Sequence, residues 1–128
     1  MSWPLVVWVD GEPRSQGSMR SVGRGRMVHQ SRDLERWREL VGWTVRSACP
    51  GWQPDRETRW ELSAQFYVGR RRDLDKLLRA VLDALTGVLW LDDGQVALIG
   101  QVSRVDHADV RGMCLQVQPL GKEDVSES

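Results

Sequence analysis

The stretch from Arg59 to Gly87, "RWELSAQFYVGRRRDLDKLLRAVLDALTG", decides the fold because two different periodicities meet inside it. Apolar and polar residues alternate over 59–68, which is typical of a half-buried strand. After three arginines, apolar residues recur at steps of three and four, which predicts an amphipathic helix that Gly87 ends. The centre of the predicted domain is therefore a strand that leads through a basic junction into a helix.

The flanking sequence supplies the other elements of the domain. Residues 5–9, "LVVWV", predict a buried strand, 10–26 a long loop, and Ser31 the N-cap of a helix that ends before Pro50. Beyond Gly87, "VLWL", "QVALIGQVSRV" and "MCLQVQPL" predict three more strands. This order favours a compact single α+β domain over 1–120, a mixed β-sheet with two helices packed on one face. Residues 121–128 are predicted to form a disordered acidic tail.

Composition excludes several classes of protein. No apolar run approaches the roughly 20 residues that a membrane helix needs, and the N-terminus lacks the basic region and cleavage site of a signal peptide. Cys49 and Cys114 belong to no motif, so we expect two free, buried thiols in a reducing compartment. Trp8, Trp37 and Trp60 fall on predicted apolar faces, whereas Trp3 or Trp52 could stack on an unpaired base.

Charge is balanced in total but not along the chain. The 128 residues carry 18 basic and 18 acidic side chains, and 16 of the basic ones are arginine. The planar guanidinium suits bidentate contact with phosphate. Two segments rich in arginine therefore predict contacts with a nucleic-acid backbone, through Arg14, Arg20, Arg24 and Arg26 in the long loop and Arg70, Arg71 and Arg72 at the junction.

Four aspartates allow two interpretations. Asp73 can cap the second helix, Asp75 then suits the helix dipole, and Asp93 with Gly94 can form a hairpin turn. The alternative is a divalent-cation site, because magnesium is typically held by one or two carboxylates, waters and substrate phosphates. Neighbouring arginines would then hold the phosphates. Capping and metal binding are compatible roles for the same side chain.

The stretch "RRDLDKLLRAVLDALTGVLWLDDGQV" resembles the signature of the RusA-type Holliday junction resolvases, small endonucleases of bacteria and their phages. The shared pattern is D-x-D, an apolar helix with D-A-L, and a D-D pair before a strand. "GEPRSQGSMR" and "DLERWRELV" are similar to the family's opening loop and tryptophan-bearing helix. The resemblance implies that 1–120 form a RusA-like endonuclease domain, encoded by a phage or prophage and active in the bacterial or infected-cell cytoplasm.

The resemblance also implies a site and a reaction. Asp73, Asp75 and Asp93 would hold Mg²⁺, with Mn²⁺ as an alternative metal, and Asp92 would assist or shape the turn. The protein would be a homodimer with two active sites that makes paired nicks in branched DNA, above all four-way junctions, in recombination and repair. No membrane partner is implied.

Two positions depart from the family pattern. Lys76 stands where asparagine is commonest, and Arg79 stands at the family's catalytic lysine. Arginine contacts phosphate but does not release a proton, so we expect Lys76 and Arg79 to share the phosphate-contact role. The departure keeps open a protein that binds branched DNA without cleaving it, and the acidic set keeps open a Mg²⁺-dependent nucleotide hydrolase.

Overall fold

A computed structural model describes residues 2–16 and 24–122, apart from the side chains of 24–31 and of 122. In chain order the elements are β1 (Leu5–Asp10), α1 (Arg24–Ala48), β2 (Thr58–Tyr67), α2 (Leu74–Leu85), a 3₁₀ turn (Asp93–Gln95), β3 (Val96–Val105) and β4 (Gly112–Lys122). No helix in these ranges is long and apolar enough to cross a membrane. The content confirms the predicted α+β class.

The four strands form one mixed sheet in the order β1-β4-β2-β3. β4 pairs antiparallel with both β1 and β2, whereas β3 pairs parallel with β2. A parallel pair needs a crossover connection, and α2 lies within the connection between these two strands. The start of β3 therefore lies beside the start of β2, at the opposite end of β2 from the junction that leads into α2.

Both helices contribute to a single core on one face of the sheet, as predicted. The alternation in β2 is realised, with Trp60, Leu62 and Phe66 fully buried. The buried set combines inward residues of the sheet with the apolar stripes of both helices, which are Trp37, Val41 and Val45 in α1 and Leu77, Ala80, Val81 and Leu85 in α2. Burial of these side chains is the main stabilising contribution to the fold.

Three predictions about secondary structure were wrong. Ser31 is not an N-cap, because α1 begins at Arg24. The segment "VLWL" is not a strand but a turn, in which Trp90 makes isolated bridges to Asp55 and Thr86. Asp93 and Gly94 form a 3₁₀ turn, not a hairpin, because the following strand pairs parallel with β2 rather than folding back on its neighbour in sequence.

The sheet has a second face that the helices do not cover. It exposes Val6 and Trp8 of β1, and Trp8 is 42% exposed, so its predicted place in the core was wrong.

Both cysteines are free as predicted, but only Cys49 is buried, and burial raises the pKa of its thiol.

The predicted acidic tail was wrong at its first two residues. Gly121 and Lys122 belong to β4. Residues 123–128 lie outside the described part of the chain.

Candidate active site and DNA interface

Asp73 and Asp75 lie at the beginning of α2. Asp73 occupies the N-cap position, but its side chain makes no capping hydrogen bond, so that predicted bond was wrong. Its carboxylate is 62% exposed and lies 3.4 Å from the Lys76 ammonium. Asp75 is exposed in the first turn, and Arg79 is exposed one turn later on the same side. Two carboxylates and two cations thus face solvent at the positive end of a helix.

Glu12 supports this arrangement from the loop after β1. Its carboxylate accepts hydrogen bonds from the Gly69 amide at 3.0 and 3.3 Å, and it lies 3.2 Å from an Arg111 nitrogen. A Cβ at Gly69 would overlap the Arg111 guanidinium, so a larger residue there would displace the Arg111 side chain. The backbone amide of Gln16 also donates to the backbone carbonyl of Lys76 at 3.0 Å. The opening loop therefore fixes the junction between β2 and α2.

The three junction arginines do not share one environment. Arg70 and Arg71 are exposed, as contact with DNA requires. Arg72 lies inward, with its side chain 18% exposed and its Nε 3.9 Å from Glu12. Burial is the main cause that lowers the pKa of the Arg72 guanidinium, and Arg14 adds to the effect, while Glu12 opposes it. The environment of Arg72 suits a structural role, and its predicted contact with DNA stays a prediction.

The predicted loop arginines are only partly described. Arg14 is partly exposed and lies 3.8 Å from Asp33 of α1. Arg24 and Arg26 belong to the first turn of α1 rather than to a loop, and their side chains lie outside the described part. Arg20 lies outside it altogether.

Asp92 and Asp93 lie at the other end of α2, and they differ from each other. Asp92 accepts a hydrogen bond from the Gly94 amide at 3.0 Å, and Gln95 completes a capping box. Gln95 also donates to the Asp55 carbonyl at 2.9 Å, which attaches the turn to the chain before β2. Asp93 is exposed, and its carboxylate makes no hydrogen bond or ion pair to the described residues. Asp92 therefore shapes the turn, and Asp93 faces solvent.

The two acidic pairs do not meet within one chain. The 12 residues of α2 alone span about 18 Å between them. Within 2–16 and 24–122, no group of three His, Cys, Asp or Glu side chains is placed to hold a metal ion. The chain thus brings Asp73, Asp75 and Lys76 together and keeps Asp92 and Asp93 apart from them.

The donor chemistry nevertheless fits a hard cation. Asp73, Asp75 and Asp93 are exposed carboxylates, which are the protein ligands that Mg²⁺ prefers. The missing capping bond leaves the oxygens of Asp73 accessible. Arg70 and Arg71 lie just before the D-x-D pair, where they can meet the charge of a phosphate.

The aromatic candidates for base stacking are engaged elsewhere. Trp3 and Trp52 pack edge-to-face on each other, with ring centroids 5.6 Å apart, and both pack on Trp60. The Trp52 indole donates to the Leu89 carbonyl at 2.9 Å. These two rings close one end of the core and offer little face to a base.

Sequence reasoning missed Glu12. Its signal was its isolation, because it is the one acid between Asp10 and Asp33 in a segment with five arginines. An acid held among so many cations has a partner within reach. The structure shows Arg72 and Arg111 beside Glu12, and both lie outside that segment.

The fold and the exposed acidic and basic side chains suit a small α+β enzyme that hydrolyses a phosphodiester. The family model described as endodeoxyribonuclease RusA matches residues 10–111. The chain therefore belongs to the RusA family and is an endodeoxyribonuclease of the Holliday junction resolvase type. No curated protein gave a significant match.

Proposed function

We propose that the protein is a Mg²⁺-dependent homodimer that resolves four-way DNA junctions, and other branched DNA, by paired nicking. The observation that carries the proposal is the pair of exposed carboxylates at the start of α2, beside Lys76 and unused by the helix. Family membership supplies the class of reaction. The metal, the dimer and the residue roles are the parts that experiment must test.

The cation would be held by Asp73, Asp75 and Asp93. A bound divalent ion lowers the pKa of a water molecule and stabilises charge on the leaving oxygen. Lys76 and Arg79 would hold the phosphate and offset its charge, while Arg70 and Arg71 bind the flanking backbone. Products with 5′-phosphate and 3′-hydroxyl ends are expected.

A second copy of the chain would complete the site. Asp93 lies about a helix length from the D-x-D pair of its own chain. In a twofold dimer, residues from opposite ends of one chain can meet across the axis, and the symmetry then creates the same site twice. Asp73 and Asp75 of one copy with Asp93 of the other would make two equivalent sites, which suits paired cleavage.

The free edge of β3 supports this arrangement. β3 is an end strand of the sheet, and it exposes Leu98 and Ile99, a combination that favours pairing with another strand. Two β3 edges paired about a twofold axis run antiparallel, so the start of one strand lies beside the end of the other. The Val105 carbonyl at that end accepts from the Val68 amide at 2.9 Å, and Val68 precedes Asp73 by only five residues.

Subunit mixing tests the composite site. Asp75→Asn and Asp93→Asn should each abolish cleavage of a labelled four-way junction in Mg²⁺. After mixing and exchange, the heterodimer would hold one intact site, formed by Asp75 of one copy and Asp93 of the other, so single nicks should return. Asp75→Asn mixed with Asp73→Asn is the matched control, because both sites stay damaged. No recovery in the first mixture would refute the composite site.

Metal and binding measurements test the rest. EDTA should abolish cleavage, and restored Mg²⁺ should recover it. Affinity should fall steeply as salt rises, because phosphate contacts release counterions. Tight junction binding with no cleavage in Mg²⁺ or Mn²⁺ would instead favour a non-catalytic DNA-binding protein. Hydrolysis of free nucleotides without cleavage of branched DNA would favour a nucleotide hydrolase.

A further inference from the structure

A groove between α1 and α2 has chemistry that the proposed active site leaves unused. Its volume is about 770 Å³, within the roughly 300–1,000 Å³ of ligand sites. The outward side chains of α1 between Arg36 and Arg46 form one wall, and the end of α2 forms the other. A Cβ at Gly42 would lie 3.2 Å from the Ala84 carbonyl oxygen, so the two helices are nearly in contact beneath the groove.

Trp43 stands at this groove with its indole exposed. At 69% it is the most exposed large hydrophobic side chain in the described part, and Leu40, one turn earlier, is also exposed. The core stripe of α1 is complete without it, since Trp37 and Val41 are buried. Contiguous exposed apolar side chains commonly mark a binding surface, so Trp43 is available to a ligand.

The charge around Trp43 is net positive, because three arginines and two acids, Glu39 and Asp83, line the groove, and Asp83 lies 3.8 Å from Arg38. Arg36 and Arg46 lie about two turns before it and one turn after it, on the same side of α1. Neither is within ion-pair distance of a carboxylate in the part of the chain that the structure describes. An indole between two available guanidinium groups matches a nucleotide, because the ring stacks on a base while arginine meets the phosphates.

The groove continues to the Asp93 end of α2. A second cleft of about 440 Å³ is lined by Arg56, Asp92 and Asp93. Both clefts share Arg38, Asp83 and Thr86 as lining residues. A single strand that passes Asp93 can therefore follow the surface to Trp43 without crossing the body of the protein.

We propose that this groove binds an unpaired nucleotide next to the branch point, with Trp43 stacked on the base and Arg36 and Arg46 against its phosphates. The inference rests on the proposed function and deepens it by assigning a site for branch recognition. Bases in a plain duplex are stacked on each other, whereas a branch point can release one. The groove would thus favour branched DNA over duplex.

Binding measurements without cleavage test the groove. Wild type and Trp43→Ala are titrated in EDTA with a four-way junction and with a duplex of the same sequence. We expect Trp43→Ala to weaken junction binding about tenfold, the size of one lost base stack, and to leave duplex binding unchanged. Trp43→Phe should keep most of the affinity, because phenylalanine still offers a ring face.

A second exposed tryptophan provides the control. Trp8 lies on the uncovered face of the sheet and is 42% exposed, so Trp8→Ala removes an exposed indole away from the groove. It should bind the junction like wild type. A fluorescent adenine analogue at the branch point should be quenched by wild type and less so by Trp43→Ala.

The outcomes separate the two proposals. If wild type cleaves junctions but Trp43→Ala binds them equally well, the groove proposal fails alone. If Trp43→Ala changes the sedimentation of the free protein, the surface is a protein contact and the groove proposal is also wrong. If wild type neither binds nor cleaves branched DNA, the proposed function itself fails.

Discussion

The two ends of α2 use aspartate in opposite ways. At the start of the helix, Asp73 occupies a capping position and makes no capping bond. Beyond its end, Asp92 belongs to a complete capping box, and its carboxylate binds the Gly94 amide. A cap that satisfies a backbone amide contributes to stability, whereas an exposed carboxylate in the field of other charges is available for a ligand.

This difference indicates which aspartates are available for function and which contribute to stability. The start of α2 is held in place by other residues, above all Glu12, so its own acids remain available. Beyond the other end of α2, Asp92 stabilises the 3₁₀ turn through its own capping hydrogen bond. We therefore expect substitutions at the start to reduce activity more than stability, and Asp92 to show the reverse.

The largest expected effect is at Asp75. Asp75→Asn removes a negative ligand while keeping the shape of the side chain, so junction cleavage should fall by about a thousandfold or more. Thermal unfolding and junction binding in EDTA should be nearly unchanged, because the side chain is exposed. Single-turnover cleavage beside a melting curve checks both. A large fall in melting temperature without loss of cleavage would mean that Asp75 contributes to stability rather than to activity.

Lys76 and Arg79 come next. If both contact the phosphate, Lys76→Ala and Arg79→Ala should each slow cleavage about ten- to a hundredfold, the range of one charge-assisted hydrogen bond. Lys76 also faces Asp73, so Lys76→Arg should recover more activity than Lys76→Ala. Glu35→Ala on the exposed side of α1 serves as the control. Unchanged rates in both alanine variants would exclude the shared role.

Much of the fold could be predicted from local pattern. The strand at 59–68 and the helix after it have clear periods, because each has one face in the core. The local sequence pattern gave a wrong prediction at Asp93 and Gly94, where the Asp-Gly motif predicted a hairpin turn. The parallel pairing of β2 with β3 is a non-local choice, and a two-residue motif holds no information about it.

The residues of the proposed site could be named from the sequence, but their positions relative to one another in the fold could not. The spacing of Asp73, Asp75 and Asp93 suggested one cage, yet the separation of the pairs follows from α2 lying between them. Glu12 and Trp43 were missed for a related reason. The roles proposed for them depend on what lies across from them in space, Gly69 for one and the end of α2 for the other.

Glu12 is predicted to position the start of α2. Glu12→Ala leaves the inward Arg72 without its acidic neighbour and frees the Gly69 amide, so stability should fall by about 2 kcal/mol. Cleavage should fall too, through the rate constant rather than through junction affinity, because the Glu12 carboxylate is engaged by Gly69 and Arg111 and acts on the site only through them. Glu12→Gln should restore part of both, since its amide oxygen still accepts from Gly69. Denaturant unfolding and single-turnover rates check this, and equal rates for all three proteins would limit Glu12 to stability.

The smallest effect distinguishes the two capping positions directly. Asp92→Ala breaks a capping box and should cost about 1 kcal/mol of unfolding free energy. Asp73→Ala removes no capping bond and only an exposed ion pair with Lys76, and such pairs contribute roughly 0–1 kcal/mol. Its stability should therefore stay close to that of wild type while its cleavage is lost. Denaturant titration of both variants measures the contrast. A larger stability loss for Asp73→Ala than for Asp92→Ala would mean that the start of α2 depends on its own acid after all.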